Sequence, residues 1–415
     1  MNIYFSGLNG VGIGPLVEIA LDAGYQVQGS DLVGGLQTAE LEERGVPMSI
    51  GAQDGQYLRE IHAATPIDWF VYTSALPVGH SELVVAKELG IPTAKRDAFL
   101  NQLITENGLQ LIAVAGTHGK TTTTGMLVWT LSKLDVPVSY AIGTTLPFGP
   151  NGRFVKGSKY FVYECDEFDR NFLHFRPYVS LLTSVDYDHP DTYPTQTDYT
   201  QAFTQFIEQS THSIAWKTDI AGTAPASWLL EPSDVSSISL PGAHNRRNAT
   251  LVLKTIEYLG LDVDAAKIAL ASFPGTDRRF EKLADNLYSD YGHHPTEIAA
   301  TLQMARELSD HVVLVYQPHQ NVRQHELRDS YTSQFVQAET VYWLPTYLSR
   351  EDPELTILGM DELTHQLTNK SAVHSAQLDS ALWYEIESAR KNGKLVLCMS
   401  AGSLDGWLRD RLNAQ

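Results

Sequence analysis

The sequence predicts the α/β fold class, with mostly parallel sheets, in three successive segments. Three observations carry this. An apolar run at 111–115 leads straight into Gly116-Thr117-His118-Gly119-Lys120-Thr121 and a helical stretch. Short apolar runs bounded by glycine are typical of strands buried on both faces of a parallel sheet. A second strand, glycine-rich turn and helix open the chain, and strand and helix signals alternate again from 286 onward, as βαβ units do. At 415 residues the chain is too long for one ordinary core and suggests two or three domains.

Composition narrows the function classes. Hydrophobic content of 43% and charged content of 19% are those of a folded globular protein. A net charge of −19 argues against a nucleic-acid backbone as partner. Cys165 and Cys398 lie in or beside apolar strand-like runs. They read as reduced core residues rather than a disulfide or metal pair, which fits the cytoplasm. A secretory signal and any apolar run of roughly 18 residues are both lacking, so neither export nor a membrane partner is expected.

The first segment begins with a strand at 2–5 and the turn Gly7-Leu8-Asn9-Gly10-Val11-Gly12-Ile13-Gly14. A helix carrying Leu16, Val17, Ile19, Ala20 and Leu21 follows, then a strand at 26–29 ending at Ser30-Asp31. This is an opening of Rossmann type, with glycines spaced GxxGxG rather than GxGxxG. Asp31 stands where an acidic residue would meet a ribose hydroxyl. A dehydrogenase cofactor, another nucleotide and a purely structural turn all fit this signal. A strand at 69–73, the stretch Ser74-Ala75-Leu76-Pro77 and helices at 81–89 and 97–104 continue the unit. Thr105 to Gly108 is a polar break, and a boundary falls there.

In the second segment the glycine-bearing loop between strand end and helix start aims backbone N–H groups at one spot, which the helix dipole favours for anions. Lys120 would reach the β- and γ-phosphates, and the Thr121 hydroxyl is placed to ligate Mg²⁺. Val114 stands where the longer phosphate-loop pattern has glycine. The helix would bury Leu127, Leu131 and Leu134. Strands at 138–141, 160–164 and 179–183 follow; the last two end in Glu164-Cys165-Asp166-Glu167-Phe168-Asp169 and in the cluster Asp186 to Asp191. Strand ends of an open α/β sheet converge on the ligand crevice, so Glu164 and His189 are candidate Mg²⁺ groups. Simple loop capping is the competing explanation. Helices at 199–207, from Gly242-Ala243-His244-Asn245-Arg246-Arg247-Asn248 onward, and at 265–271 lead to the linker Pro274-Gly275.

The third segment has strands at 286–289, 312–317, 340–344 and 395–400, with helices at 296–308 and 375–391. Asp290-Tyr291-Gly292-His293-His294-Pro295-Thr296-Glu297 sits between strand and helix, and Gln317-Pro318-His319 follows a strand. Adjacent histidines do not easily face one ion, so zinc is disfavoured.

Read in order, GTHGKTTTT at 116–124, the Glu164 turn, DH at 188–189, HNRRN at 244–248 and DYGHHPTE at 290–297 resemble the Mur ligase family over nearly the whole chain. GLNGVGIG, GYQVQGSDL and QPH at 317–319 resemble its alanine-adding branch. The resemblance implies three domains. Residues 1–105 would form a Rossmann-like domain binding UDP-N-acetylmuramate, with Gly10, Val11 and Gly12 on the pyrophosphate and Asp31 and Ser74 as further substrate contacts. Residues 106–275 would form a P-loop ATPase domain with a mostly parallel sheet. Residues 276–415 would form a Rossmann-like α/β domain that brings the amino acid and closes over the site.

The implied activity is ATP-dependent joining of L-alanine, or a similar small amino acid, to the lactyl carboxylate through an acyl phosphate, by a monomer or homodimer. By the same resemblance, ATP would meet Gly116, Thr117, His118, Gly119, Lys120, Thr121 and Thr122, with His244 and Asn248 at adenine, Arg278 at the phosphates and Asp290 at the ribose. Thr121, Glu164 and His189 would serve Mg²⁺. Lys120, His189, His293 and Arg323 would be catalytic, and His294, His319 and Arg323 would face substrate. No lysine stands between Arg170 and Trp216, which argues against the carbamylated lysine that holds a second metal in some relatives.

Three departures stand out. Gln320 and Arg323 occupy positions where the alanine-adding branch has two arginines, Ser403 replaces an aspartate, and the interval from His189 to His244 is short. The alternatives are a recycling ligase that adds a tripeptide, a non-catalytic nucleotide-binding relative, and a motion-coupled ATPase. Tyr291-Gly292 ahead of the histidine pair favours the single-amino-acid reading over the first of these.

Overall fold

The computed structural model describes residues 1–10, 12–73, 76–189, 192–349 and 351–414. Val11 and Ser74, expected at the substrate, lie outside the described residues, as do Ala75, Pro190 and Asp191. The chain forms two compact units. One comprises 1–236 and 248–273, the other 237–247 and 274–415.

Three sheets give the protein its three-domain α/β architecture. The first is parallel, in spatial order Met48–Ile50, Gln26–Asp31, Asn2–Ser6, Trp69–Tyr72 and Thr93–Lys95. The second runs Trp228–Leu230, His212–Trp216, Val179–Leu182, Gln110–Ala115, Tyr160–Glu164, Val138–Ala141 and Gly152–Arg153, parallel except at the last pair. The third, in the second unit, runs Glu281–Ala284, Leu287–Asp290, Leu395–Met399, Val312–Tyr316, Thr340–Trp343 and Val373–Ser375, antiparallel only at the first pair.

The apolar runs are explained by burial on both faces. Val312, Leu314 and Tyr316 pack with Ile298 and Leu302 of the helix Pro295–Leu308. Val313 and Val315 face the other way, against Leu382, Ile386, Leu404 and Leu408. Alternation along one strand thus serves two cores. Each such side chain contributes roughly 1.5–3 kcal/mol on leaving water. In the first sheet Ile3 and Phe5 share the core of Leu16, Val17 and Phe99, whereas Tyr4 packs among Leu58, Phe70 and Leu83.

Most predicted elements stand within a residue or two of their expected bounds. One needs correction. The helix expected at 375–391 begins at Ser380, because the Asp379 carboxylate accepts the Ala381 and Leu382 N–H groups at 3.0 Å and caps it there. Residues 373–375 form an edge strand instead. Among the described residues no helix is long and apolar enough to cross a membrane.

Candidate active site

The loop after the strand Gln110–Ala115 turns into the helix Lys120–Lys133 at Gly119. Gly116 takes φ +135°, and a Cβ there would lie 2.3 Å from Thr183 Oγ1 and 2.8 Å from Ser184 N. Only glycine fits. Gly119, at φ +82°, passes so close to Asn248 that a Cβ would stand 3.1 Å from its amide nitrogen. The loop is fastened to the end of the neighbouring strand. Thr117 N–H donates to Ser184 O at 3.1 Å, and Thr117 Oγ1 donates to Asp186 O at 2.7 Å. His118 N–H donates to Ser184 Oγ at 3.0 Å, while its ring Nε2 lies 3.1 Å from Asp186 Oδ2. Thr122 falls in the first turn of the helix.

Lys120 is held back over its own loop. Its ammonium donates to Gly116 O at 2.5 Å and to both oxygens of Glu167, at 2.8 and 3.1 Å. Burial alone would depress the Lys120 pKa, but Glu167, with Asp166 and Glu164 beyond it, outweighs burial and raises it. The lysine is a stable cation. Glu167 is 1% exposed, and Tyr193 OH donates to its carbonyl at 2.6 Å. In the sequence Glu167 is one carboxylate of the acidic turn with no role assigned to it; its only signal there is its place in that carboxylate-rich turn just after a strand.

Thr121 Oγ1 donates to Glu164 Oε1 at 2.6 Å, and Glu164 Oε2 accepts the Gly143 N–H at 2.7 Å. This hydroxyl–carboxylate pair is a set of hard oxygen donors suited to Mg²⁺. His189, at φ +59°, has Nε2 3.8 Å from Glu167 Oε1 and its ring edge-on to Phe168. The fold therefore pairs Thr121 with Glu164, and sets His189 beside Glu167.

At the chain's first turn, Ser30 O accepts the Gly7 and Leu8 N–H groups at 2.8 and 3.2 Å, and Gly10 N–H donates to Gly7 O at 3.0 Å. Asp31 closes this turn, its carboxylate accepting from Asn9 N–H at 2.7 Å and Val33 N–H at 3.2 Å.

In the second unit, Asp290 is buried, with one oxygen on Gly292 N–H and the other on Phe280 N–H, at 2.7 and 2.8 Å. Arg278, at φ +56°, lies over the Tyr291 ring at 4.7 Å and donates to Ser400 O at 2.9 Å. His293 and His294 both give their backbone N–H to Glu297 Oε2, at 3.0 and 3.2 Å. His294 Nδ1 accepts the Thr296 N–H at 3.3 Å and caps the helix Pro295–Leu308. Arg323 Nη1 donates to His293 Nε2, and His293 Nδ1 faces Tyr291 O at 3.2 Å. His319 stacks on Tyr347 and meets the His293 ring edge-on. His244 belongs to this unit and Asn248 to the other, although both stand on the helix Ala243–Tyr258.

Burial holds His293 at a pKa of about 4, with Arg323 and His319 adding to the depression and Glu297 opposing it. Burial likewise brings His244 to about 4. Between pH about 6.5 and about 4 the unfolded chain takes up protons that these rings refuse in the folded unit. Their contribution is complete above pH 6.5 and is lost as pH falls to about 4, by up to about 3 kcal/mol for each ring. Denaturant midpoints between pH 7 and 4.5 should therefore fall less steeply for His244→Gln than for the unaltered protein. Equal slopes would show that His244 gains no such protection from protons.

Three family models match in succession. The Mur ligase family catalytic domain covers residues 2–107, the Mur ligase middle domain 114–254, and the Mur ligase glutamate ligase domain 278–402. The UDP-N-acetylmuramate–L-alanine ligase of Chlorobium phaeovibrioides is 32% identical, over 97% of this chain and 95% of that protein. Its counterpart in Syntrophomonas wolfei is 31% identical, over 97% and 94%. Among solved structures, the UDP-N-acetylmuramate-alanine ligase MurC of Thermotoga maritima shares the fold with a TM-score of 0.76, at 22% identity and over 100% of both chains. A murein peptide ligase from Psychrobacter arcticus gives 0.64, at 24% identity, over 100% of this chain and 98% of that one. A likeness that runs unbroken through three domains leaves one conclusion about ancestry: the chain belongs to the Mur ligase family.

Proposed function

We propose that this protein is an ATP-dependent ligase that joins L-alanine, or a similar small amino acid, to the lactyl carboxylate of UDP-N-acetylmuramate in peptidoglycan precursor synthesis. The observation that carries the reading is full-length likeness to ligases of that name, joined to a phosphate loop whose Lys120 and Thr121 are each backed by a strand-end carboxylate. We take the domain boundaries to lie near 105 and 275, the location to be cytoplasmic, and the protein to be a monomer or homodimer.

In the reaction, a lactyl carboxylate oxygen attacks the γ-phosphorus of ATP and the bond to the β-phosphate oxygen breaks, giving an acyl phosphate and ADP. The amine of the amino acid then attacks the acyl carbon. Phosphate leaves with the C–O electron pair, the nitrogen loses a proton, and an amide remains. Lys120 would turn its ammonium from Glu167 to the γ-phosphate, where fixed positive charge stabilises the transferring group. Thr121 and Glu164 would hold Mg²⁺, which supplies further charge neutralisation when bound. Gly119 would bring the loop backbone close to the nucleotide, with Asn248 beside it for the base. In the second unit, His244, Arg278 and Asp290 are proposed for the nucleotide, and His293, His294, His319 and Arg323 for the amino acid.

Phosphate release tests this reading. Purified protein with ATP, Mg²⁺ and UDP-N-acetylmuramate should release phosphate on addition of L-alanine, and far less without it. Release only with glycine, serine or the recycled tripeptide would keep the chemistry and replace the acceptor. No release with any of them, despite ATP binding, would sink the ligase reading.

A further inference from the structure

Tyr199 lies on the helix Gln196–Glu208 and belongs to none of the motifs above. It is 1% exposed, and its hydroxyl stands between the phosphate loop and the buried carboxylate behind Lys120. On one side it meets Thr117 Oγ1 at 2.7 Å; on the other it lies 3.5 Å from Glu167 Oε1. The direction of the first bond follows from counting hydrogens. Thr117 gives its single hydroxyl hydrogen to Asp186 O at 2.7 Å and accepts the Asp186 N–H at 2.9 Å. Its remaining lone pair can only accept, so Tyr199 is the donor. Burial and the Glu167 carboxylate push the Tyr199 hydroxyl well above its usual pKa, so it keeps that hydrogen. Its ring is set edge-on to Tyr193 at 4.9 Å and to Tyr187 at 6.0 Å. Tyr193 OH in turn holds Glu167 O, and Tyr187 OH donates to Tyr193 O at 2.8 Å. Glu167 and Tyr199 thereby share one buried frame.

In this frame the Lys120 ammonium takes both Glu167 oxygens, and Tyr199 keeps to Thr117. If Lys120 leaves for a nucleotide phosphate, a buried carboxylate loses its cation, which is strongly unfavourable. Beside that carboxylate stand Tyr199 OH, 3.5 Å from Oε1, and His189 Nε2, 3.8 Å from the same oxygen. A hydroxyl needs only to rotate its hydrogen and close a short gap. A bond to a charged oxygen is about twice as strong as one to a neutral hydroxyl, so the hydrogen follows the charge. We infer that Tyr199 is a positioning residue that passes its hydrogen bond from Thr117 to Glu167 as Lys120 turns to the nucleotide, and so makes the lysine available. Thr117 keeps its two bonds to Asp186 throughout, and the loop stays in place. The inference rests on the ATP-dependent reading given above, in which Lys120 moves.

Calorimetry with a non-hydrolysable ATP analogue and Mg²⁺ tests this through a double-mutant cycle. Tyr199→Phe keeps the ring and its packing, and should lose about five- to tenfold in analogue affinity, the difference between a charge-assisted and a neutral hydrogen bond. In a Glu167→Gln background no charge is stranded, and the same change should cost less than about twofold. A Lys120→Ala background should behave likewise and serves if Glu167→Gln folds poorly. Equal losses in altered and unaltered backgrounds would overturn the inference and leave Tyr199 as a fixed brace on Thr117. So would an undiminished affinity in Tyr199→Phe itself. No binding of the analogue by the unaltered protein would overturn the nucleotide reading, and the inference with it.

Discussion

Lys120→Ala is expected to slow ATP-dependent phosphate release by about 10²- to 10³-fold, the usual loss when a preorganised donor to developing charge is removed. The same change leaves Glu167 buried without its cation, and should cost about 3 kcal/mol of stability at neutral pH. Glu167 is already raised by burial and only partly held down by Lys120. Without the lysine it rises further, so the stability penalty shrinks as the pH falls and the carboxyl takes up a proton. A double variant, Lys120→Ala with Glu167→Gln, separates the two roles. Urea midpoints should recover most of the loss, since a neutral amide replaces the orphaned charge. Phosphate release should stay low. Recovery of turnover in the double variant would mean that Lys120 serves only as a counter-ion to Glu167.

That pair also marks where sequence reading stops. The strand Gln110–Ala115 and the helix Lys120–Lys133 were legible because a strand buried on both faces must be apolar throughout, and the loop between them needs its glycines. Thr121 and Glu164 were legible as candidates for one site because Thr121 opens the helix after one strand and Glu164 ends a neighbouring strand of the same sheet, where topology converges. The aim of Glu167 depends instead on the left-handed backbone at Asp169 and Arg170, and on Tyr193 holding its carbonyl. No local pattern encodes these. The helices Leu36–Glu43 and Gln56–Ala64 and the strands Met48–Ile50 and Trp228–Leu230 were also missed. The strands are three-residue edges, too short for a period to show. The helix Leu36–Glu43 is largely polar and buries little, so its sequence carries no apolar stripe.

Arg323→Ala should raise the KM for the amino acid by about 30- to 150-fold, as expected for loss of about 2–3 kcal/mol from a charge-assisted contact with its carboxylate. The KM for ATP should change little. His293 sets this up. With a pKa of about 4 its ring is neutral at working pH, so Nε2 accepts from Arg323 while Nδ1–H points to Tyr291 O. The histidine acts by orienting the guanidinium, which fixes the clamp at little entropic cost. The helix that carries Arg323 is itself held. Gln320 takes φ +59° and gives its N–H to Tyr347 O at 2.8 Å, opening the helix Asn321–Leu327. Gln324 is wholly buried, accepting from Tyr331 OH at 2.7 Å and donating to His319 O at 3.0 Å. A second guanidinium at 320, as the alanine-adding pattern has it, would leave from this strained cap. Gln320→Arg should therefore lower the KM for the amino acid severalfold if Arg323 alone now grips the carboxylate. Steady-state kinetics on the two variants decide the matter. A fall in kcat with unchanged amino-acid KM in Arg323→Ala would show that Arg323 acts at the transition state and grips no acceptor carboxylate.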